Sequence, residues 1–183
     1  MKKHTIFILA AAILLGSAFT LAMIWKVDDK ISTINFELPN GDKKGTFSNL
    51  SATIDFDKAK LADSKITASI EVKTLKAGNE KLEAHLLSPD FFDAEKFPKI
   101  TFTSTEISAA GEAFLAKGKL SMKDSTKFIE IPFTFNENEK NKATFSGTMT
   151  VNASDYGVMK KTDDPTKAGR DKVIIYLVVP VSK

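Results

Sequence analysis

From Trp25 onward, apolar side chains recur at every second position, the period of a strand with one face buried. Ile34, Phe36 and Leu38 share a face, with Asn35 and Glu37 between them. After the Pro39-Asn40-Gly41 turn, Leu50, Ala52, Ile54 and Phe56 alternate with Ser51, Thr53 and Asp55, and Ile66, Ala68, Ile70 and Val72 alternate with Thr67, Ser69 and Glu71. The rhythm returns in Ile100, Phe102 and Ser104, in residues 114–122 with Leu120 on the apolar face, in Ile129, Ile131, Phe133 and Phe135, and in residues 143–151 with Phe145 and Met149. Pro132 lacks an N–H, so its strand is predicted to need no ladder donor there. The last run, residues 173–181, is apolar on both faces and is expected to be covered outside by the N-terminal segment or by a partner.

One stretch breaks the period. Residues 77–88 favour a short helix that ends before Pro89, with Leu82 and Leu86 four apart on one side of it. Phe91, Phe92 and Phe97 then crowd into a turn between Pro89 and Pro98. Exposed Phe at that density is unfavourable, so the turn is expected to fold back over the barrel, either as a permanent plug or as a movable cover. Eight strands joined mostly by short turns predict an all-β, antiparallel sandwich or barrel of about eight strands with one short helix, since parallel pairing needs helical crossovers, and closure into a barrel would remove exposed edges. A barrel of that size is filled by side chains or holds one small ligand, and the pattern alone does not choose. The polar stretch 162–171 reads as a loop.

The chain's start is different in kind. Lys2, Lys3 and His4 precede an uncharged apolar run, residues 5–24, with Gly16, Ser17 and Ala18 in its second half. Residues 1–22 read as a secretory signal cleaved after Ala18 or Ala22, or else as a retained anchor, and residues 23–183 as a single domain. Either reading exports the domain to the periplasm or beyond, and only an uncleaved leader would touch a membrane. Without cysteine there is neither a lipoprotein anchor nor a disulfide framework. The formal charge of +3 falls to +1 once Lys2 and Lys3 are set aside, so the chain is nearly neutral and nucleic acid is not an expected partner. The aromatics are lopsided, with 14 Phe against 2 Tyr and 1 Trp, which predicts an interior with few polar handles.

Catalytic chemistry is hard to find. The sole His outside the leader is His85, beside Leu82 and Leu86, and no Ser or Cys motif accompanies it. A hydrolase or isomerase acting on a lipid would need His85 paired with an acid near Asp90; Asp90, Asp93 and Glu95 read more simply as turn and capping residues. No cofactor is expected, and neither a zinc set nor a calcium loop is spelled out, so no metal is expected. Asn49-Leu50-Ser51 and Asn152-Ala153-Ser154 match the glycosylation acceptor pattern but lie in strand-like segments.

Several stretches resemble the YceI-like family: Trp25-Lys26-Val27-Asp28, Gly45-Thr46-Phe47, and above all His85-Leu86-Leu87-Ser88-Pro89-Asp90-Phe91-Phe92-Asp93 followed by Phe97-Pro98-Lys99-Ile100-Thr101-Phe102. Gly118-Lys119-Leu120-Ser121-Met122-Lys123 and Asp155-Tyr156-Gly157-Val158 follow in the family's order. Where that family often has an Arg-Asp pair before the His-Leu, this chain has Leu82-Glu83. The resemblance implies an exported, lipocalin-like barrel that holds a polyisoprenoid or isoprenoid quinone without catalysis. Together with the Phe surplus it nominates Phe36, Ile54, Phe56, Ile70, Phe102, Leu120, Phe133, Phe145 and Met149 as ligand-lining residues, and Leu82, Leu86, Phe91 and Phe92 as a lid. The alternative is an envelope interaction module with a side-chain-filled barrel, whose outer stripe of Ile174, Tyr176 and Val178 would make a homodimer interface.

Overall fold

The computed structural model describes residues 22–39, 41, 43–161 and 169–183. Ten strands are present: β1 (Ile24–Val27), β2 (Thr33–Glu37), β3 (Lys44–Phe47), β4 (Ser51–Asp55), β5 (Lys65–Glu71), β6 (Lys99–Ala110), β7 (Ala113–Met122), β8 (Ser125–Glu139), β9 (Lys142–Asn152) and β10 (Lys172–Ser182). The one α-helix among the described residues, α1, is Glu80–Leu87. Among the described residues no helix is long and apolar enough to cross a membrane.

The expected barrel is closed. Its ring runs β1-β4-β5-β6-β7-β8-β9-β10, and β10 returns to β1, giving eight strands with every pairing antiparallel. The other two strands are continuations. β2 follows β1 along the same edge of β10, from Val27↔Val181 to Thr33↔Val178, and β3 pairs with β2 as β4 pairs with β1. Between β1 and β2 a turn is inserted: Asp28 N–H donates to the Pro180 carbonyl at 3.0 Å, and Ser32 N–H to the Asp28 carbonyl at 3.0 Å. One long hairpin is thus broken in both arms. β1 and β3 have four residues each, too few for alternation to reveal them as strands.

Pro132 lies opposite Leu115 of β7, and β8 pairs with β9 only from Phe133 onward, so the missing N–H falls where that ladder has ended. Another gap is filled by a side chain. Near the register shift between Ser104 and Glu106, the buried Ser104 hydroxyl accepts the Ile66 N–H at 2.8 Å. On the outside of β10, Tyr176 and Val178 are 37% and 40% exposed, so the described residues do not provide the expected outer cover. Residues 1–21 of the expected leader (1–22) and residues 162–168 of the polar loop (162–171) fall outside the described residues.

Helix α1 forms where the strand period stops, because its start is capped. The Asn79 side chain accepts the Leu82 N–H at 3.1 Å, and Glu83 reaches back to accept the Ala77 N–H at 2.9 Å and the Lys76 ammonium at 3.0 Å. The backbone bond from Ala77 and the Lys76 hydrogen bond hold the Glu83 carboxyl below its ordinary range. At the other end, the Ser88 hydroxyl donates to the His85 carbonyl at 2.7 Å and Pro89 prevents continuation.

Candidate functional site

The two ends of the barrel are built differently. At the end where β1 meets β4 and β10, the Trp25 indole N–H donates to the Phe56 carbonyl at 2.9 Å, and Phe56 itself is 0% exposed. Its ring meets Phe135 at 5.0 Å, Phe114 at 5.1 Å, Phe145 at 5.3 Å and Phe133 at 5.7 Å between centroids, mostly edge to face. Trp25 packs on Phe135 at 5.2 Å, and the Lys183 ammonium lies over the indole at 4.4 Å. This end is a solid aromatic plug.

The opposite end is formed by the β2–β3 turn, α1 and the segment that follows it. Phe92 N–H donates to the Leu86 carbonyl at 3.0 Å, Ala94 to Leu87 at 3.0 Å and Asp93 to Ser88 at 2.9 Å, folding the turn back onto the helix. Asp93 adopts the left-handed region at φ 51°, which a short polar side chain tolerates. The Lys123 ammonium fastens the turn across the mouth, donating to the Phe91 carbonyl at 2.6 Å and to Gly157 at 3.0 Å. Beneath it Phe92 meets Phe47 at 5.9 Å and Phe47 meets Phe36 at 5.4 Å.

Between plug and mouth lies a cavity of about 410 Å³ with a predominantly apolar lining. That is the size of a small-molecule site rather than of a packing defect. Every residue nominated as lining or lid borders it except Phe56. Phe56 shares the inward face of its chain segment with Ile54, but it lies at the plugged end, beneath the cavity floor, and is a core residue. Phe91 and Phe92 reach the cavity as expected of the turn; Phe97 does not, and lies half-buried under the Lys96 ammonium at 5.0 Å.

A model of the YceI-like domain matches residues 25–180, almost the entire described chain. The chain belongs to the YceI-like family. A UPF0312 protein of Pseudomonas syringae pv. tomato is 33% identical over 156 residues, 82% of this chain and 78% of that one. A UPF0312 protein of Photorhabdus laumondii is 30% identical over 132 residues, 69% of each chain. Among solved structures, Burkholderia cenocepacia BcnA superposes with a TM-score of 0.77 at 26% identity, covering 85% of this chain and 99% of that one. A polyisoprenoid binding domain from Saccharophagus degradans shares the fold, with a TM-score of 0.64 at 14% identity over 86% of this chain and 97% of that one.

What keeps this YceI-like barrel hollow is visible in its glycines. A Cβ on Gly45 would sit 2.4 Å from the Phe36 ring and 2.4 Å from the Lys76 carbonyl; one on Gly118 would sit 2.7 Å from the Phe102 ring and 2.4 Å from the Thr103 carbonyl. The outer edges of the Phe36 and Phe102 rings therefore occupy the space that a side chain at these glycines would take. The motif stretches containing Gly45 and Gly118 are thus tied to the cavity, a role that alternation does not disclose.

Sequence reasoning also missed part of the lining. Phe47 belongs to the undetected β3, and Ile131, Ile175 and Val179 had inward parity but no reason to be singled out. Lys43, Lys44 and His85 border the cavity as well, and the alternation gives no sign of them because they come from a turn, a strand end and a helix. The His85 ring packs edge-on against Phe91 at 4.6 Å. Among the described residues no group of His, Asp or Glu is arranged to hold a metal ion.

The phenol of Tyr156 is buried at the edge of this end. Burial first, and the Asp155 carboxylate second, push it up to about 12. Val158, two residues on, borders the cavity, so this short helical turn (Ala153–Tyr156) and the residues after it close the side of the mouth next to β9.

Proposed function

We propose that this protein binds the chain of a single apolar lipid of the polyisoprenoid class inside the barrel and carries it in the cell envelope, without chemical transformation. The observation that carries the reading is the 410 Å³ apolar cavity, plugged by aromatics at one end and bordered by a helix and a turn at the other. An isoprenoid chain needs burial and little else, at about 0.8 kcal/mol per CH₂ removed from water, and the lining supplies burial with few hydrogen-bonding groups. The shared fold of the Saccharophagus degradans polyisoprenoid binding domain supports the same ligand class. A barrel filled by its own side chains, as an interaction module requires, does not leave a hole of this size.

The test is organic extraction of the purified protein followed by mass spectrometry. A stoichiometric apolar lipid in repeated preparations is the expected result, and its absence, with no uptake of added polyprenol, overturns the reading. Export belongs to the same proposal: residues 1–22 act as a signal, and intact-mass measurement of protein from the envelope fraction should show a chain beginning near residue 19 or 23.

A further inference from the structure

The cavity is apolar, but its ionisable border is one-sided. Lys43, Lys44 and His85 are the ionisable residues that reach it, and among the described residues no Asp or Glu does. All three come from the elements that form the mouth. Lys43 is in the β2–β3 turn and Lys44 opens β3, while His85 is on α1, which borders the same opening.

The ladder separates the two lysines. Phe36 faces the cavity and pairs with Gly45, and the next inward position on each arm is Leu38 and Lys43, joined by the Leu38 N–H to Lys43 carbonyl bond at 2.9 Å. Lys43 therefore has inward parity at the rim. Lys44 lies opposite Glu37 in the ladder, at the outward parity, where the Glu37 carboxylate accepts the Tyr176 hydroxyl at 2.7 Å. The weight thus falls on Lys43 and His85. The remaining polar side chains along the lining, Ser69, Thr101 and Ser146, are neutral hydroxyls.

We infer that the lipid held in this barrel ends in an anionic head group, a phosphate or a carboxylate, bound at the mouth by Lys43 and His85. This rests on the lipid-binding reading above and names the ligand class within it. A hydrocarbon end gains nothing from an ammonium group at the rim, and a neutral alcohol gains only a weaker hydrogen bond. An anion gains a charge-assisted hydrogen bond and leaves its charge in water, while the chain behind it enters the cavity. Lysine suits such a rim, because its aliphatic stem covers apolar surface and its ammonium stays hydrated.

The experiment compares matched pairs on the mature protein below the micelle concentration: a polyprenyl monophosphate with the polyprenol of equal length, and a long-chain fatty acid with its fatty alcohol. The expected result is about tenfold tighter binding of an anion than of its alcohol, a preference that shrinks as salt is raised. Lys43→Met and His85→Leu should each narrow the ratio of anion to alcohol affinity, with the urea denaturation midpoint of each variant reporting an intact fold. Preference for the phosphate alone or for the carboxylate alone supports the inference and identifies the head group. Equal affinity for anion and alcohol, or a preference that survives both substitutions, overturns it and leaves the lipid-binding reading standing. Failure of all four ligands overturns both.

Discussion

The two ends of this barrel use the same residue for opposite purposes. At the plugged end, Phe opposes Phe across neighbouring strands: Phe114 pairs with Phe133, and Phe135 with Phe145, so rings meet rings and space is filled. Toward the mouth, Phe meets a small residue on one of its two sides. Phe36 pairs with Gly45, and Phe102 pairs with Ala68 while lying against Gly118. Their partners on the other side are large, Ile175 for Phe36 and Leu120 for Phe102, so room is left only on the small side, where each ring meets glycine backbone. Phe133 stands at the boundary: opposed by Phe114 on one side and by Gly147 on the other, it packs on Phe56 and also borders the cavity.

Substituting the plug should have the largest effect. Phe56→Ala removes a fully buried ring from a cluster of four others and is expected to lower unfolding free energy by about 3–5 kcal/mol, with or without lipid, measured by urea denaturation. A loss below about 1 kcal/mol would mean that the plugged end is as loosely packed as the mouth. Filling the glycine gap comes next. Gly118→Ala forces a Cβ against the Thr103 carbonyl and the Phe102 ring, and is expected to destabilise by about 1–3 kcal/mol while displacing Phe102 into the cavity and lowering lipid capacity. Unchanged lipid stoichiometry and affinity in that variant would break the link between glycine and cavity.

Phe92→Ala probes the mouth. Phe92 is half-buried, so the apo protein should lose only about 1–2 kcal/mol, and the main effect should be faster lipid release, read by stopped-flow displacement. A loss as large as that of Phe56→Ala would make the turn a second plug. The smallest effect concerns pH. Tyr156, pushed up to about 12 by burial and Asp155, and Tyr176, raised by its hydrogen bond to Glu37, both titrate above the ordinary 10.0 when folded. Folding favours the neutral phenols, so this contribution is complete below pH 10 and is lost as pH rises beyond it, when the unfolded chain ionises first. Phenolate absorbance should therefore rise later in the native protein than in urea.

The sequence by itself determined the alternating strands, the inward parity of the apolar residues within those alternating runs, the short helix with Leu82 and Leu86 on its cavity side, and the scarcity of catalytic residues. Those follow from local chemistry, because strand period, capping and proline geometry act within a few residues. Height along the barrel axis is a different matter. Ile54 and Phe56 share an inward face, yet one borders the cavity and the other is buried in the plug, since Phe114, Phe133, Phe135 and Phe145, far away in the chain, close around Phe56. The same is true of Lys43 and His85, brought to one opening by a hairpin turn and a helix 42 positions apart in sequence. Only the closed ring fixed these meetings, because parity is a property of one strand, whereas depth depends on the register between strands distant in sequence.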